Sequence, residues 1–423
     1  MKNIIIVICF ILTLISCSSG KKRKISKLTN QILKEEFYEN QFTGLLIFDP
    51  VTNDTLYKNN SSKYFTPAST IKIFSLFSGL QLLPKKIPTL KYITINDTLY
   101  IEGTGNPTTL HPYFKDSSCI NFLRPYKNIA LSVHHFQENR YGPGWAWEDY
   151  QYGFQTERNS LPLYGNVIKV HKTNSLQVSP SYFKKNVRFH KGAIRRKEDT
   201  NTFYYNYAKK DTLTIPFKVN AVITQKLLEE ILKKEIRLIT NFPKGNKKIV
   251  YGIATDSIYK RMMLESDNFL AEQLLITASS TISDTLQINK VIDTILKTQL
   301  KDLKQVPRWV DGSGLSRYNL ATPENMVHVL HKLYMTVPKQ QLFNLFPVGG
   351  VSGTLKKWYA GNPEPYIYAK TGSLGNNYSI CGYLITASGK TLIFSFMNNH
   401  YTQPSIAVKK RAQLIFEKIR DTY

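Results

Sequence analysis

The sequence is poor in acidic residues. Its 423 residues include 30 Asp and Glu against 56 Lys and Arg, which gives a formal net charge of +26. So basic a chain would suit nucleic acid, but the excess is spread along the chain without a basic-aromatic recognition motif, and we predict no nucleic-acid partner. The same charge suits an anionic surface such as a cell-wall polymer or a membrane. A lysine-rich surface without a specific partner explains the composition equally well.

Cysteine is also scarce. Four cysteines occur, and neither C-x-x-C nor H-E-x-x-H is present, which excludes common redox and zinc motifs. His328 and His331 would share a helix face but lack acidic partners, so we predict neither a metal site nor a cofactor. Cys119 and Cys381 could form a disulfide, yet Cys381 lies in an apolar strand pattern, which favours a buried free thiol.

The apolar run at the N-terminus is too short to span a membrane. It covers residues 4–15 after a charged start, which is typical of a secretory signal. The run ends in Leu14-Ile15-Ser16-Cys17, which resembles a bacterial lipobox and implies cleavage before Cys17 and a lipid on its thiol. We predict a signal peptide at 1–16, a lipid-anchored tether at 17–27, and export across the inner membrane to face the periplasm. The alternative is a plain signal peptide with a chance cysteine.

The pattern after the tether changes twice. Strand and helix signals up to residue 85 give way, over residues 86–252, to short alternating strands and turn clusters that predict one or two β-rich inserted domains. Helical periodicity then returns, and the C-terminal part has three strand patterns and a closing helix with one apolar face. We predict an α+β fold in which 28–85 and 253–423 form one helix-covered antiparallel sheet.

One predicted helix start carries candidate chemistry. Thr66-Pro67 predicts an N-cap followed by proline at the first helical position, so Ser69 would lie in the first turn and Lys72 one turn further on. Lysine at this distance can take the serine proton if burial or another cation lowers the pKa of its amine. The helix start also leaves the Ser69 N–H free for a developing oxyanion. The S-x-x-K spacing alone is weak evidence, because it recurs elsewhere in the chain where a surface serine and lysine explain it.

Two further clusters lie far downstream. Lys370-Thr371-Gly372-Ser373 follows a strand-like run, where the lysine and threonine can hold a carboxylate or the lysine can lower the pKa of another lysine. Gly372 would let a ligand backbone approach closely. Ser266-Asp267-Asn268 at a helix start offers a hydroxyl for proton relay and an amide to orient a peptide. Taken singly, the first cluster also fits a surface turn and the second a plain N-cap.

The order S-x-x-K, S-x-N, K-T-G resembles the signature of the serine penicillin-recognising enzymes, namely penicillin-binding proteins and β-lactamases. About 200 residues separate Ser69 from Ser266, which is too many for a compact β-lactamase. The chain is therefore similar to the class C low-molecular-mass penicillin-binding proteins, the D-alanyl-D-alanine carboxypeptidase/endopeptidase group of the penicillin-binding protein 4 type. Residues 141–149, 265–272 and 311–317 also look like segments of that family. In the last of these, D-G-S-G favours a turn-fixing role for Asp311.

This resemblance implies a fold and a reaction. The fold would be the β-lactamase/transpeptidase-like sheet with an insertion. Ser69 would attack the carbonyl of a D-Ala-D-Ala or cross-link peptide bond, with Lys72 as the base. Ser266 would pass the proton to the leaving amine, and Asn268 would hold the acyl side chain. Water would then hydrolyse the acyl-enzyme, without a cofactor.

The resemblance also implies how the substrate is held. Lys370 and Thr371 would bind the terminal carboxylate of a peptidoglycan stem peptide, and the N–H groups of Ser69 and Ser373 would form the oxyanion hole. Asp149, with Phe154 nearby, aligns with the position that contacts the free amine of a diaminopimelate side chain. β-Lactam antibiotics would acylate the same serine and remain bound.

Two other functions are open at this point. A β-lactamase would need an efficient deacylating base, which the sequence does not place, and would turn penicillin over rapidly. A lipid-anchored, non-catalytic wall-binding or scaffold protein would bind glycan or a partner through its inserted region. Such a protein would take up no fluorescent penicillin.

Overall fold

The computed structural model describes residues 20–208 and 211–423. The predicted signal peptide at 1–16 and the predicted lipidation site Cys17 lie outside these residues. Within the described ranges, none of the helices combines the length and the apolar character needed to cross a bilayer.

Strands and helices are numbered in chain order. The strands are β1 (Phe42–Asp49), β2 (Asp54–Asn59), β3 (Lys86–Ile95), β4 (Thr98–Gly103), β5 (Asn128–Ser132), β6 (Val167–Lys172), β7 (Leu176–Ser179), β8 (Val187–Phe189), β9 (Phe203–Tyr205), β10 (Leu213–Pro216), β11 (Ile236–Ile239), β12 (Lys248–Ala254), β13 (Ile367–Leu374), β14 (Asn377–Ile385) and β15 (Thr391–Asn399). The helices are α1 (described over 20–33), α2 (Lys72–Leu82), α3 (Ser118–Leu123), α4 (Ala221–Leu232), α5 (Thr255–Leu264), α6 (Asn268–Ile282), α7 (Ile288–Lys297), α8 (Pro323–Thr336), α9 (Lys339–Leu345) and α10 (Ser405–Thr422).

The sheet that carries the candidate motifs lies between two hydrophobic cores. Its five strands are antiparallel and follow the order β13-β14-β15-β1-β2. β14 and β15 are buried along almost their whole length, because α1 and α10 cover one face and α2, α6 and α8 cover the other. The apolar face of α10 packs on the sheet through Val408, Ala412, Ile415, Phe416 and Ile419. The α+β, helix-covered antiparallel sheet predicted from the sequence is confirmed.

Two element boundaries differ from the sequence pattern. β13 continues through Lys370 and Gly372 as far as Leu374, so the K-T-G cluster lies inside a strand rather than at its end. Residues 20–27, which the sequence assigns to the tether, are turns of α1 that contact the sheet domain. Ile25 is buried there, and Lys22 forms an ion pair with Asp54 at 2.7 Å.

A second five-stranded sheet is formed by the region between α2 and α5. Its order is β11-β5-β4-β3-β12, and β5 runs parallel to both β4 and β11. β6, β7 and β10 form a small antiparallel sheet, and β8 and β9 form a short parallel pair. These strands share one hydrophobic core with α3 and α4. Cys119 in this region and Cys381 in β14 are buried free thiols, as the sequence pattern favoured.

Candidate active site

Ser69 lies in a 3-10 turn, Ala68–Ile71, that continues directly into α2. The predicted N-cap at Thr66 is wrong. The Thr66 N–H donates to the Asn399 side-chain oxygen at 2.7 Å, and the Asn399 amide donates to the Thr66 carbonyl at 3.3 Å, so the end of β15 fixes this segment. Ala68 has φ +49°, a left-handed conformation that is costly for residues other than glycine and clusters at functional sites. Ser69 is half-buried, and Lys72 is fully buried.

Three contacts surround the Lys72 amine. Its Nζ lies 2.9 Å from Ser69 Oγ, 2.6 Å from Asn268 Oδ1 and 2.5 Å from the Ser313 carbonyl oxygen. The Phe154 carbonyl accepts a hydrogen bond from Asn268 Nδ2 at 3.0 Å, and this orients the amide oxygen toward Lys72. The two carbonyl-type oxygens can only accept, whereas the serine hydroxyl can also donate. A neutral amine therefore satisfies all three partners when Ser69 donates its proton.

Burial lowers the pKa of both lysines at the site. The pKa of Lys72 falls to about 8, although the nearby carboxylates Asp311, Glu272 and Asp267 oppose the shift. Burial also lowers the pKa of Lys370 well below its ordinary value, and the charge of Lys72 lowers it further. Because repulsion between two cations acts on both amines, their proximity favours a state of the pair in which one amine is neutral. An unprotonated lysine is the state that a general base requires.

Ser266 and Lys370 form a second hydroxyl–amine pair. Lys370 on β13 is fully buried, and its Nζ donates to Ser266 Oγ at 2.8 Å and to the Thr371 carbonyl at 2.6 Å. Ser266 has φ +56° in the turn between α5 and α6. The following residue, Asp267, caps α6 by accepting a hydrogen bond from Leu270 N at 3.1 Å. The capping role thus belongs to Asp267, and the Ser266 hydroxyl contacts Lys370.

β13 is the edge strand of its sheet. The Ala369 N–H donates to the Pro347 carbonyl, and the Ile367 carbonyl accepts from Gly349 N. The backbone groups of these two strand residues therefore point away from β14. The backbone groups of successive strand residues point to opposite edges in turn, so every second residue faces the same way. The Ser373 N–H, four residues after Ala369, therefore points to the same outer edge.

Gly372 brings this edge against the turn of Ser69. A Cβ on Gly372 would lie 2.5 Å from the Pro67 carbonyl oxygen and 2.9 Å from Ser69 N, so only glycine allows the two backbones to lie so close. The neighbouring Thr371 hydroxyl donates to Thr354 Oγ1 at 2.8 Å on the exposed side. Ser69, the outer edge of β13 and the Lys370 pair thus belong to one site.

Asp149 and Phe154 lie in a segment at the rim of this site. Phe154 is 47% exposed, and its ring stacks on Tyr152 with the centroids 5.6 Å apart. Burial raises the pKa of Asp149, and the guanidinium of Arg317 opposes this shift. Arg317 is exposed and lies close to Gly375, the residue just after β13. Its Nη2 would be 3.8 Å from a Cβ placed on that glycine. The sequence pattern indicated no role for Arg317, although it ends the D-G-S-G-L-S-R segment.

The loop at residues 311–316 forms the buried side of the site. Asp311 is fully buried and accepts hydrogen bonds from Gly314 N, Ser316 N, the Asn319 amide and Trp145 Nε1. These donors confirm the turn-fixing role predicted for Asp311. The same loop presents the Ser313 carbonyl to Lys72, a contact that the sequence did not indicate.

Comparison with known proteins shows one family. The model of the D-Ala-D-Ala carboxypeptidase 3 (S13) family matches residues 25–204 and 253–418. The D-alanyl-D-alanine carboxypeptidase DacB of Haemophilus influenzae is 32% identical over 171 residues, which are 38% of this chain and 35% of that protein. The penicillin-sensitive carboxypeptidase A of Dictyostelium discoideum is 31% identical over 129 residues, or 29% and 25% of the two chains. These alignments span about a third or less of the curated relatives.

Solved structures match over more of the chain. The alignment with the crystal structure of penicillin binding protein 4 from Haemophilus influenzae covers 92% of this chain and 97% of that protein's chain, with a TM-score of 0.71 and 20% identity. The Bd0816 predatory endopeptidase of Bdellovibrio bacteriovorus covers 90% and 94%, with a TM-score of 0.53 and 14% identity. At these identities the likeness concerns the fold. The match of the family model over most of the sequence shows that the chain belongs to the D-Ala-D-Ala carboxypeptidase 3 (S13) family, and its fold is that of penicillin-binding protein 4.

Proposed function

We propose that this protein is a serine D-Ala-D-Ala carboxypeptidase or endopeptidase that cuts peptidoglycan stem peptides through an acyl-enzyme on Ser69. One observation carries the proposal: a half-buried serine hydroxyl lies 2.9 Å from the amine of a fully buried lysine, Lys72, whose pKa is lowered to about 8. The family relatives named above are carboxypeptidases, which supports the same reaction.

In the acylation step, Ser69 Oγ attacks the peptide carbonyl carbon while its proton moves to Lys72 Nζ. The N–H groups of Ser69 and Ser373 bind the oxyanion, one at the turn and one at the edge of β13. The bond from the carbonyl carbon to the leaving nitrogen then breaks. Ser266 delivers a proton to that nitrogen and receives in return the proton held by the Lys72 ammonium, so that both groups regain their starting states. Lys370 holds the Ser266 hydroxyl at 2.8 Å for this transfer. Water then attacks the ester and releases the shortened peptide.

The substrate lies along the edge of β13. Lys370 and Thr371 bind the terminal carboxylate, and the peptide backbone pairs with the edge as an added strand. The space beside Gly372, which the sequence suggested for a ligand backbone, is instead filled by the backbone of the Ser69 turn. The Asn268 amide holds the acyl side chain. Asp149 contacts a free side-chain amine, and the exposed ring of Phe154 packs on the same part of the substrate.

We also propose how the chain is organised and placed. Residues 28–85 and 253–423 form the catalytic domain, and 86–252 form an inserted region. Residues 1–16 direct export, and a lipid on Cys17 anchors the protein so that it faces the periplasm. The sequence features at residues 1–17 support this placement.

A defined cross-linked muropeptide tests the function. We expect the purified protein to release either the terminal D-alanine or the uncrosslinked monomers, as followed by chromatography and mass spectrometry, and Ser69→Ala to release neither. A labelled penicillin in parallel separates the nearest rival, because a long-lived adduct is expected here and rapid hydrolysis of penicillin would identify a β-lactamase. A wild-type protein that cuts no muropeptide and takes up no penicillin would contradict the proposal.

A further inference from the structure

A line of buried groups leads from the inserted region to Lys72. Arg158 donates from both Nε and Nη2 to Glu272 Oε2, at 3.0 and 2.6 Å. The other oxygen, Glu272 Oε1, accepts a hydrogen bond from the Ser313 N–H at 2.7 Å. The carbonyl of the same Ser313 accepts from Lys72 Nζ at 2.5 Å. A single backbone residue therefore separates the Lys72 amine from a buried carboxylate.

Glu272 and Arg158 are almost inaccessible, with 2% and 3% of their surface exposed. Glu272 lies within the largely apolar helix α6, where an unpaired carboxylate would be costly. These contacts on its two oxygens come from N–H donors, which is the environment of an ionised carboxylate. Arg158 also donates from Nη1 to Glu138 Oε2 at 3.1 Å, so two carboxylates share its charge.

The arrangement is more specific than an ion pair that joins two parts of the chain. Arg158 engages only one oxygen of Glu272 and leaves the other to the Ser313 loop. The loop is also packed on the backbone of α6, because a Cβ on Gly312 would overlap the carbonyl of Ala271, the residue before Glu272. The Glu272 contact is therefore one of the contacts that hold the Ser313 carbonyl against Lys72, together with the Asp311 hydrogen bonds and the packing of Gly312.

On the basis of the function proposed above, we propose that Glu272 is a positioning residue for the Lys72 base. It holds the Ser313 carbonyl against the Lys72 amine, and its charge stabilises the ammonium that forms when Lys72 takes the proton of Ser69. The electron pair of Ser69 Oγ bonds the substrate carbonyl carbon in the same step. Glu272 itself neither gains nor loses a proton.

The charges around Lys72 give the sign of the effect. Burial is the largest cause of the lowered pKa of Lys72, and Asp311, Glu272 and Asp267 oppose it. The charge of Lys72 in turn lowers the pKa of Lys370. Burial raises the pKa of Glu272 itself and Asp311 raises it further, whereas the charge of Arg158 and the hydrogen bonds from Arg158 and the Ser313 N–H oppose the shift and favour the ionised carboxylate. Removal of the Glu272 charge therefore lowers the pKa of Lys72. The lysine is then neutral at a lower pH but is a weaker base.

The pH profile of acylation tests this role. The second-order rate constant for labelling by a fluorescent penicillin is measured from pH 5 to 10 on the purified full chain. We expect Glu272→Gln to shift the rise on the acid side of the profile to lower pH by about one unit, which is the order of the pKa change caused by removal of one nearby buried charge. We also expect the plateau rate to fall at least about tenfold. Glu138→Gln is the matched control, since it removes the other carboxylate on Arg158 without touching the Ser313 loop, and both the rise and the plateau should stay in place.

A merely structural role would lower the labelling rate constant equally at every pH and would leave the pH at which the rate rises unchanged. That result overturns the proposal. If Glu272→Gln fails to fold because Arg158 loses one of its two carboxylates, the double variant Glu272→Gln/Arg158→Met removes both charges. Its profile should move in the same direction by less, because loss of the Glu272 anion lowers the pKa of Lys72 and loss of the more distant Arg158 cation offsets part of that change. A double variant with the wild-type profile also overturns the proposal. Failure of the proposed function is distinguishable, because the wild type itself would then remain unlabelled.

Discussion

Gly372 in β13 has no room for a side chain. In Gly372→Ala, the new Cβ would lie 2.5 Å from the Pro67 carbonyl oxygen, 2.8 Å from Thr70 N and 2.9 Å from Ser69 N. These are backbone atoms of the turn that carries Ser69, the proposed nucleophile, so they cannot rotate away as a flexible side chain would. An ordinary contact of 3.4 Å requires the Pro67 oxygen and the new methyl group to separate by about 0.9 Å.

A displacement of that size at reacting groups costs on the order of 100-fold in rate, and overpacking costs about 1–3 kcal/mol of unfolding free energy. We therefore expect Gly372→Ala to fold but to react with a fluorescent penicillin at least about 100-fold more slowly than the wild type. Gly375→Ala is the matched control, because the nearest atom to its Cβ would be Arg317 Nη2 at 3.8 Å. Labelling time courses give the rate constants. Equal rates for Gly372→Ala and the wild type would refute the reasoning.

Three further predictions concern the base, the substrate and the core. Because burial lowers the pKa of Lys72 to about 8 and the neutral amine is the base, the acylation rate constant should rise as the pH approaches 8 and level off above it; a rate that falls over this range contradicts the assignment. Asp149→Asn should slow cleavage of stem peptides that carry a free side-chain amine about tenfold or more, because a charge-assisted contact is lost, and should leave penicillin labelling unchanged; equal losses with both compounds would argue against a role in substrate recognition. Phe416→Ala removes a fully buried ring that packs on Tyr359, Phe394 and Phe396. It should lower the free energy of unfolding, measured in urea, by about 3–5 kcal/mol. A loss below about 1 kcal/mol would show that α10 contributes little to the core.

Much of the fold follows from local patterns in the sequence. Alternating apolar residues predict β14 and β15, which are buried on both faces, and the spacing of Val408, Ala412 and Ile415 predicts the covered face of α10. The three candidate clusters could be recognised because each is a short motif at the start of a helix or within a strand. Their convergence depends on sheet order, in which β13 lies at the edge, and short motifs do not encode that order.

The features that sequence reasoning missed all depend on partners distant in the chain. Thr66 has the residue type of an N-cap, but Asn399 binds its backbone and a cap is not formed. Glu272 ends the family-like segment 265–272, but the sequence assigned it no role, since its partners Arg158 and Ser313 are 114 and 41 residues away. Such contacts are set by tertiary packing, which local propensity does not predict.

The central claim is that Ser69 is the nucleophile of this site. The most direct measurement is to treat the protein with a penicillin, digest it, and locate the added mass by tandem mass spectrometry. We expect the adduct on the peptide that contains Ser69 and on its hydroxyl, and no adduct in Ser69→Ala. An adduct that maps to another residue, or that forms as fast in Ser69→Ala as in the wild type, would contradict the account.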